Sequence, residues 1–219
     1  MGFEQYKDVW VFIECFEGTP KNVGLELLGQ GRKLAEGLGQ QLCAVVIGKD
    51  VEQGIREAEK HGADKIYVVQ GDEYQHYSAD GYGYAFLQLC RKYSPNTILV
   101  GATINGRDLG SKLAVSLHTG LTADCTILEM DENTDLSQIR PAFGGNIMAH
   151  IKTPNHRPQM ATVRYKIMNA PERAEKESGE IVVCTIEKEK LLSHVRVLDI
   201  VEKPKETFIE NADVLVVAG

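Results

Sequence analysis

The first half of the chain alternates short, almost wholly apolar runs with longer stretches whose apolar residues recur at helical spacing. VWVFIE (Val9–Glu14) is β-branched and aromatic and predicts a buried strand. From Asn22 the apolar positions Val23, Leu27, Leu28, Leu34, Ala35 and Leu38 predict a helix, with Gly37 and Gly39 supplying its stop. LCAVVIG (Leu42–Gly48) predicts a second strand, VEQGIREAEKHGA a second helix capped at Gly62, and KIYVV (Lys65–Val69) a third strand. AFLQLCRKY closes a further helix, TILVG (Thr97–Gly101) is a fourth strand, and LGSKLAVSL, from Leu109, is the helix after it. Strands that are apolar along their whole length and alternate with helices imply a parallel sheet covered on both faces and joined by right-handed crossovers.

Near Leu121 the pattern changes. LTADCTILEM, RPAFGGNIMAHI (Arg140–Ile151), QMATVRY, EIVVCTIE and HVRVLDIVE are strand-like and helical periodicity disappears, so a mixed or antiparallel section is expected to extend the sheet. ETFIENADVLVVAG then leads into one more apolar strand that stops at Gly219. The natural continuation of such a strand is a Gly-rich turn and a helix, so a second domain is expected to begin there.

Composition narrows the functional classes. A chain of 219 residues can bury the core of one domain or one and a half. A net charge of -7 argues against a nucleic-acid or anionic-membrane surface, both of which need clustered Lys and Arg. The longest apolar runs fall short of a membrane span and MGFEQYKDVW lacks a signal-peptide pattern, so a cytoplasmic location is expected. Five widely spaced cysteines without a C-x-x-C predict free thiols.

Chemical motifs are sparse. No G-x-G-x-x-G occurs, and NGRDLGSK (Asn105–Lys112) lacks the order of a P-loop. GATINGRDLG (Gly101–Gly110) reads either as a loop whose free N–H groups hold an anion before a helix or, equally, as a plain turn capped by Asp108. The six histidines have no metal-ligand spacing and no nucleophile elbow is present, while Cys125 in TADCT reads as a small buried residue. Two interruptions remain, HTGLTADCT and RPAFGGNIMAHI. On residues alone a β-bulge or hairpin corner is favoured over a wall shaped against a flat ligand or a partner chain.

GATINGRDLGSKLAVSLHTGLTADCT, RPAFGGNIMAHI and RPQMATVR, in that order, resemble the N-terminal domain of the alpha subunit of electron-transfer flavoproteins, and the likeness spans nearly the whole chain. The resemblance implies an α/β fold, a Rossmann-like three-layer sandwich of the adenine-nucleotide alpha-hydrolase type over residues 1–207, with 208–219 as the first strand of a C-terminal FAD-binding domain. It implies an electron-carrier subunit rather than a stand-alone enzyme, in a heterodimer with a beta subunit. Electrons would travel on FAD between an acyl-CoA dehydrogenase or NADH and other acceptors, with no nucleic acid or membrane involved. TADCT and GGNIMAHI are similar to the forms of anaerobic bacteria, including electron-bifurcating ones. On the same ground Arg140, Pro141, Gly144, Gly145 and Asn146, with Thr122, Asp124 and Cys125, would face the beta subunit and its flavin or nucleotide. Arg140 would be the flavin-facing cation, the glycines would permit close approach, and Asn146 would hydrogen-bond. Without the loops of the C-terminal domain the chain alone is expected not to hold the alpha-subunit FAD. The competing expectation is a freestanding nucleotide-binding module of the same fold, with GATINGRDLG holding a phosphate.

Overall fold

Every residue of β4 (Leu42–Gly48) is buried, as are Val9 to Ile13 of β1 (Lys7–Ile13), which is what a strand requires when helices cover both faces of its sheet. A computed structural model describes residues 2–175, 177–187, 197–201 and 214–218. After β1 come two two-residue strands, β2 (Cys15–Phe16) and β3 (Thr19–Pro20), then α1 (Asn22–Leu38), β4, α2 (Glu52–Lys60) and β5 (Lys65–Gln70). They are followed by α3 (Ala79–Tyr93), β6 (Pro95–Gly101), α4 (Ile104–Ser116), β7 (Leu121–Cys125), β8 (Ile127–Met130), β9 (Leu136–Ala142), β10 (Ile147–Ile151), β11 (Gln159–Val163) and β12 (Glu180–Val183).

Seven strands form one sheet in the order β12-β5-β4-β1-β6-β11-β7, and every neighbouring pair is parallel. Alternate residues of β1 feed two cores. Val9, Val11 and Ile13 pack with Leu27, Leu28 and Leu34 of α1, whereas Trp10 and Phe12 pack with Phe86 of α3 and Leu109 of α4. The antiparallel section expected after Leu121 takes the form of a separate three-stranded sheet, β10-β9-β8. Short turns join these three strands, and only antiparallel neighbours can be joined that way, while β11 and β12 arrive through long connections and so can pair in parallel.

One such connection, in its residues 164–175, runs as a strap over α1 and α2. The Lys166 N–H donates to Glu26 Oε2 at 2.8 Å, the Ala174 N–H donates to the Lys60 carbonyl at 2.8 Å, and Arg173 makes a two-pronged contact with Glu57 at 2.8 and 2.9 Å. Under the strap Gly29 is a requirement of space, since a Cβ there would stand 2.4 Å from the Asn169 carbonyl oxygen.

α1 ends where expected, with Gly39 as a left-handed cap at φ 63°. α4 starts five residues before the expected Leu109. Thr103 is its N-cap, with Oγ1 accepting from the Gly106 N–H at 2.9 Å, so GATINGRDLG is largely helix and Asp108 is not the cap but accepts from the Tyr77 hydroxyl at 2.9 Å. The glycines that suggested a loop serve packing instead: a Cβ on Gly106 would stand 2.0 Å from the Gly101 carbonyl oxygen. Val197–Val201 and Val214–Ala218 carry no strand, and the remaining residues of the two terminal strand-like stretches, with the expected boundary at 207/208, lie outside the described residues. Among the described residues no helix is long and apolar enough to cross a membrane.

Candidate functional site

The TADCT interruption is a β-bulge. β7 pairs Thr122 with Ala161 and Cys125 with Val163, so three steps along β7 match two along β11. The extra residue is absorbed at Asp124, which takes a left-handed φ of 58° that Asp tolerates better than most side chains. Its N–H turns to Thr162 Oγ1 at 3.0 Å, and its carboxylate receives Arg107 of α4 in a two-pronged contact at 3.0 and 3.2 Å. Thr122 is buried, and the Cys125 thiol points back to the Thr122 carbonyl at 3.6 Å. Burial pushes that thiol up to about 12 against the opposing pull of the Arg140 guanidinium. Cys125 is therefore a buried thiol and not a nucleophile, as its setting in the sequence suggests.

Arg140 stands on β9, which packs against β7. Arg140 and Pro141 lie on β9, opposite Ala149 and Met148 of β10. Arg140 is half-buried and has no carboxylate partner among the described residues, whereas Arg32, Arg107, Arg157 and Arg173 each have one. The hairpin corner between β9 and β10 is a short turn through Phe143, Gly144 and Gly145. Gly144 and Gly145 sit at φ 71° and 91° with nothing within 4 Å of where a Cβ would be, so backbone conformation, not crowding, calls for glycine. Asn146 is exposed beside them. Thr122, Asp124, Cys125 and Arg140 thus gather at the β7 edge, while Gly144, Gly145 and Asn146 form the tip of the neighbouring hairpin.

Around these polar groups the surface is apolar. Phe143 is 83% exposed, and Ile147, Met148 and Ile151 on β10 and Ile127 on β8 are also open to solvent. On α4, Ile104 (88% exposed) and Val115 (76%) flank the turns that carry Arg107 and Ser111. Exposed apolar side chains on this hairpin and on α4 leave surface that a partner can cover.

The other place where this type of fold binds ligands is the crevice at the carboxyl ends of β1 and β6, where the winding direction reverses. Here that crevice is filled from within. Glu14, 6% exposed at the end of β1, accepts hydrogen bonds from the Thr103 hydroxyl and from Asn105 Nδ2 at 3.0 Å, and pairs with Lys21 Nζ at 3.0 Å. Its carboxylate occupies the start of α4, where the expected phosphate would sit. Beside it the Gly101 backbone packs directly on Val23 of α1, where a Cβ would stand 2.5 Å away. Glu14 went unnoticed in the sequence, where the only signal is an acid ending an otherwise apolar strand. Arg107 was hidden inside the apparent anion loop. No group of three His, Cys, Asp or Glu suited to a metal ion exists among the described residues.

A family model described as the electron transfer flavoprotein domain matches residues 9–189. The chain is 43% identical, over 98% of its own length and 51% of the relative's, to "Lactate dehydrogenase (NAD(+),ferredoxin) subunit LctC" of Acetobacterium woodii. It is 44% identical over all of its length to "Protein FixB" of Clostridium saccharobutylicum, covering 66% of that protein. It is 42% identical over 98% of its length to the "Electron transfer flavoprotein subunit alpha" of Thermoanaerobacterium thermosaccharolyticum, covering 65%. The chain thus spans about half to two thirds of the length of these relatives. A match that begins in β1, runs past β12 and takes in the bulged strand and the glycine hairpin places the chain in the electron transfer flavoprotein domain family.

Proposed function

We propose that this chain serves as the N-terminal domain of an alpha-type subunit in an electron transfer flavoprotein, pairing with a beta-type subunit and closing one side of the flavin or nucleotide that the partner holds. The observation that carries this reading is the half-buried Arg140, without a carboxylate partner among the described residues, on a strand packed against a bulged edge strand and near exposed apolar side chains. A fixed cation in a partly desolvated setting stabilises negative charge that builds on a reduced flavin ring. Asp124, with Thr122 buried beneath it, and the hairpin tip at Gly144, Gly145 and Asn146 shape the same surface, and the rim of Phe143, Ile147 and Ile104 supplies the area that the partner covers. FAD carries the electrons in the heterodimer, in the cytoplasm, between NADH or an acyl-CoA dehydrogenase and other acceptors. The relative from Acetobacterium woodii is named for lactate, NAD(+) and ferredoxin together, which supports a bifurcating version.

The freestanding nucleotide-binding module is disfavoured by Glu14, whose carboxylate takes the anion's place at the start of α4. Co-expression with a beta-type subunit tests the two readings. A yellow heterodimer whose flavin content depends on this chain supports electron transfer. A colourless monomer that binds ATP and ignores the beta-type subunit overturns it.

A further inference from the structure

The helix-α3 side of the sheet carries a feature that flavin contact does not use. Trp10, in the middle of the sheet on β1, lies 4.7 Å from Tyr67 of β5, centroid to centroid, and Tyr67 lies 4.5 Å from Tyr93 at the end of α3. The Tyr93 hydroxyl in turn meets the Cys184 Sγ, just past the edge strand β12, at 3.8 Å. Trp10, Tyr67 and Cys184 are buried and Tyr93 is half-buried, so the row runs beneath the surface from the middle strand of the sheet to its β12 edge. Ring contacts of this kind are ordinary core packing. This row, however, contains only side chains that yield an electron readily, in an order that ends at a thiol.

We propose that Trp10, Tyr67, Tyr93 and Cys184 form a relay that carries a one-electron oxidation from the middle of the sheet to its β12 edge and deposits it on the Cys184 thiol. The oxidant is a one-electron acceptor such as an oxygen-centred radical or a photoexcited flavin. It removes an electron from Trp10, leaving an indole radical cation. Tyr67 returns that electron and releases its phenolic proton, becoming a phenoxyl radical. Tyr67 then takes an electron from Tyr93 through the ring contact, recovering a proton from solvent as Tyr93 gives its own up to solvent, and Tyr93 takes an electron and a proton from Cys184 across the hydroxyl–thiol contact. In the balance Cys184 has lost one electron to the oxidant and one proton to solvent, and the three rings are restored. Burial pushes the Tyr67 phenol well above its ordinary range, so the group starts each cycle protonated, as the proton-coupled step requires. The resulting thiyl sits next to a half-buried tyrosine, at the start of the reversible part of the cysteine oxidation ladder.

Trp10 is the only tryptophan in the chain, so the relay can be started at one place. A red-edge ultraviolet flash ionises Trp10 in the full chain while a cobalt(III) ammine consumes the ejected electron. The indole radical absorption is expected to give way to phenoxyl absorption, and peptide mapping afterwards to find oxidation at Cys184 and not at Cys15, Cys43, Cys90 or Cys125. Tyr67→Phe should lengthen the indole radical's life severalfold, and Cys184→Ser should lengthen that of the phenoxyl radical. The map on the unmodified chain stands even where a variant folds poorly. An indole radical that decays equally fast in Tyr67→Phe, or oxidation concentrated at Cys43, overturns the relay.

Discussion

Asn105 Nδ2 donates to Glu14 Oε1 at 3.0 Å, tying the first turn of α4 to the residue that follows β1, 91 positions earlier in the chain. Glu14 also accepts from the Thr103 hydroxyl, so its removal leaves two donors facing a largely closed space. Glu14→Ala is expected to lower stability by about 1–3 kcal/mol, and Glu14→Gln, which keeps an acceptor, by less. A urea midpoint that falls with an unchanged slope checks this; an unshifted midpoint for the alanine variant refutes it.

Two glycines of the same helix predict opposite signs. Gly37 has nothing within 4 Å of an added Cβ, so Gly37→Ala should stabilise by roughly 0.5–1 kcal/mol through helix propensity. Gly29→Ala gains the same propensity but drives a Cβ into the Asn169 carbonyl, and is expected to be net destabilising by about 1–3 kcal/mol. Limited proteolysis should then cut the Gly29→Ala chain within 164–175 faster than the parent.

The buried thiols make stability sensitive to alkali. Burial moves Cys125 from 9.0 to about 12, and pushes Cys43 and Cys90 up as well. Folded thiols therefore titrate above unfolded ones: their contribution is full below about pH 9 and is lost as pH climbs from there toward 12. Each adds a slope of about 1.4 kcal/mol per pH unit in that window. Cys125→Ala should leave a shallower decline above pH 9 than the parent shows, measured by denaturant titration at stepped pH.

If Arg140 faces the partner's flavin, Arg140→Ala in the heterodimer should lower that flavin's reduction potential. The reduced anion loses its counter-charge while the oxidised ring loses little. The expected scale is about 1–3 kcal/mol, on the order of tens of millivolts, with Arg140→Lys intermediate. Equal midpoints in redox titrations of parent and variant remove Arg140 from that role.

Phe143 is 83% exposed, so Phe143→Asp should leave the isolated chain's stability within about 0.5 kcal/mol. Burying that charge against the partner weakens association instead. Titration calorimetry with the beta-type subunit separates the two effects, and undiminished affinity would take the hairpin out of the interface.

The strand bounds of β4 could be read from the chain because a wholly apolar run ends at Gly48. The end of α1 was equally plain, since Gly39 is the left-handed cap its position suggests. The start of α4 was not, because Gly106 and Gly110 look like loop residues until β6 and β11 are seen pressing on them. Both interruptions were legible as local geometry: TADCT is a bulge and RPAFGGN a hairpin corner. Their partners were not, because Arg107 reaches Asp124 from a different element and Glu14 meets Thr103 and Asn105 only after the sheet has formed. Period and turn chemistry are local, while pairing across elements belongs to the assembled fold.

β11 is inserted between β6 and β7, although β7 precedes it in the chain by 38 residues from Leu121 to Gln159. On the ribosome β7 therefore emerges with no neighbour to join and must wait until Val163 has cleared the exit tunnel. During that interval its unpaired backbone and the apolar side chains of β8 to β10 are exposed to whatever is near. A chain interrupted before β11 is accordingly a client for chaperones and not a smaller stable protein, and the high sequence separation of these pairings makes late, concerted closure of this edge the expected order of folding.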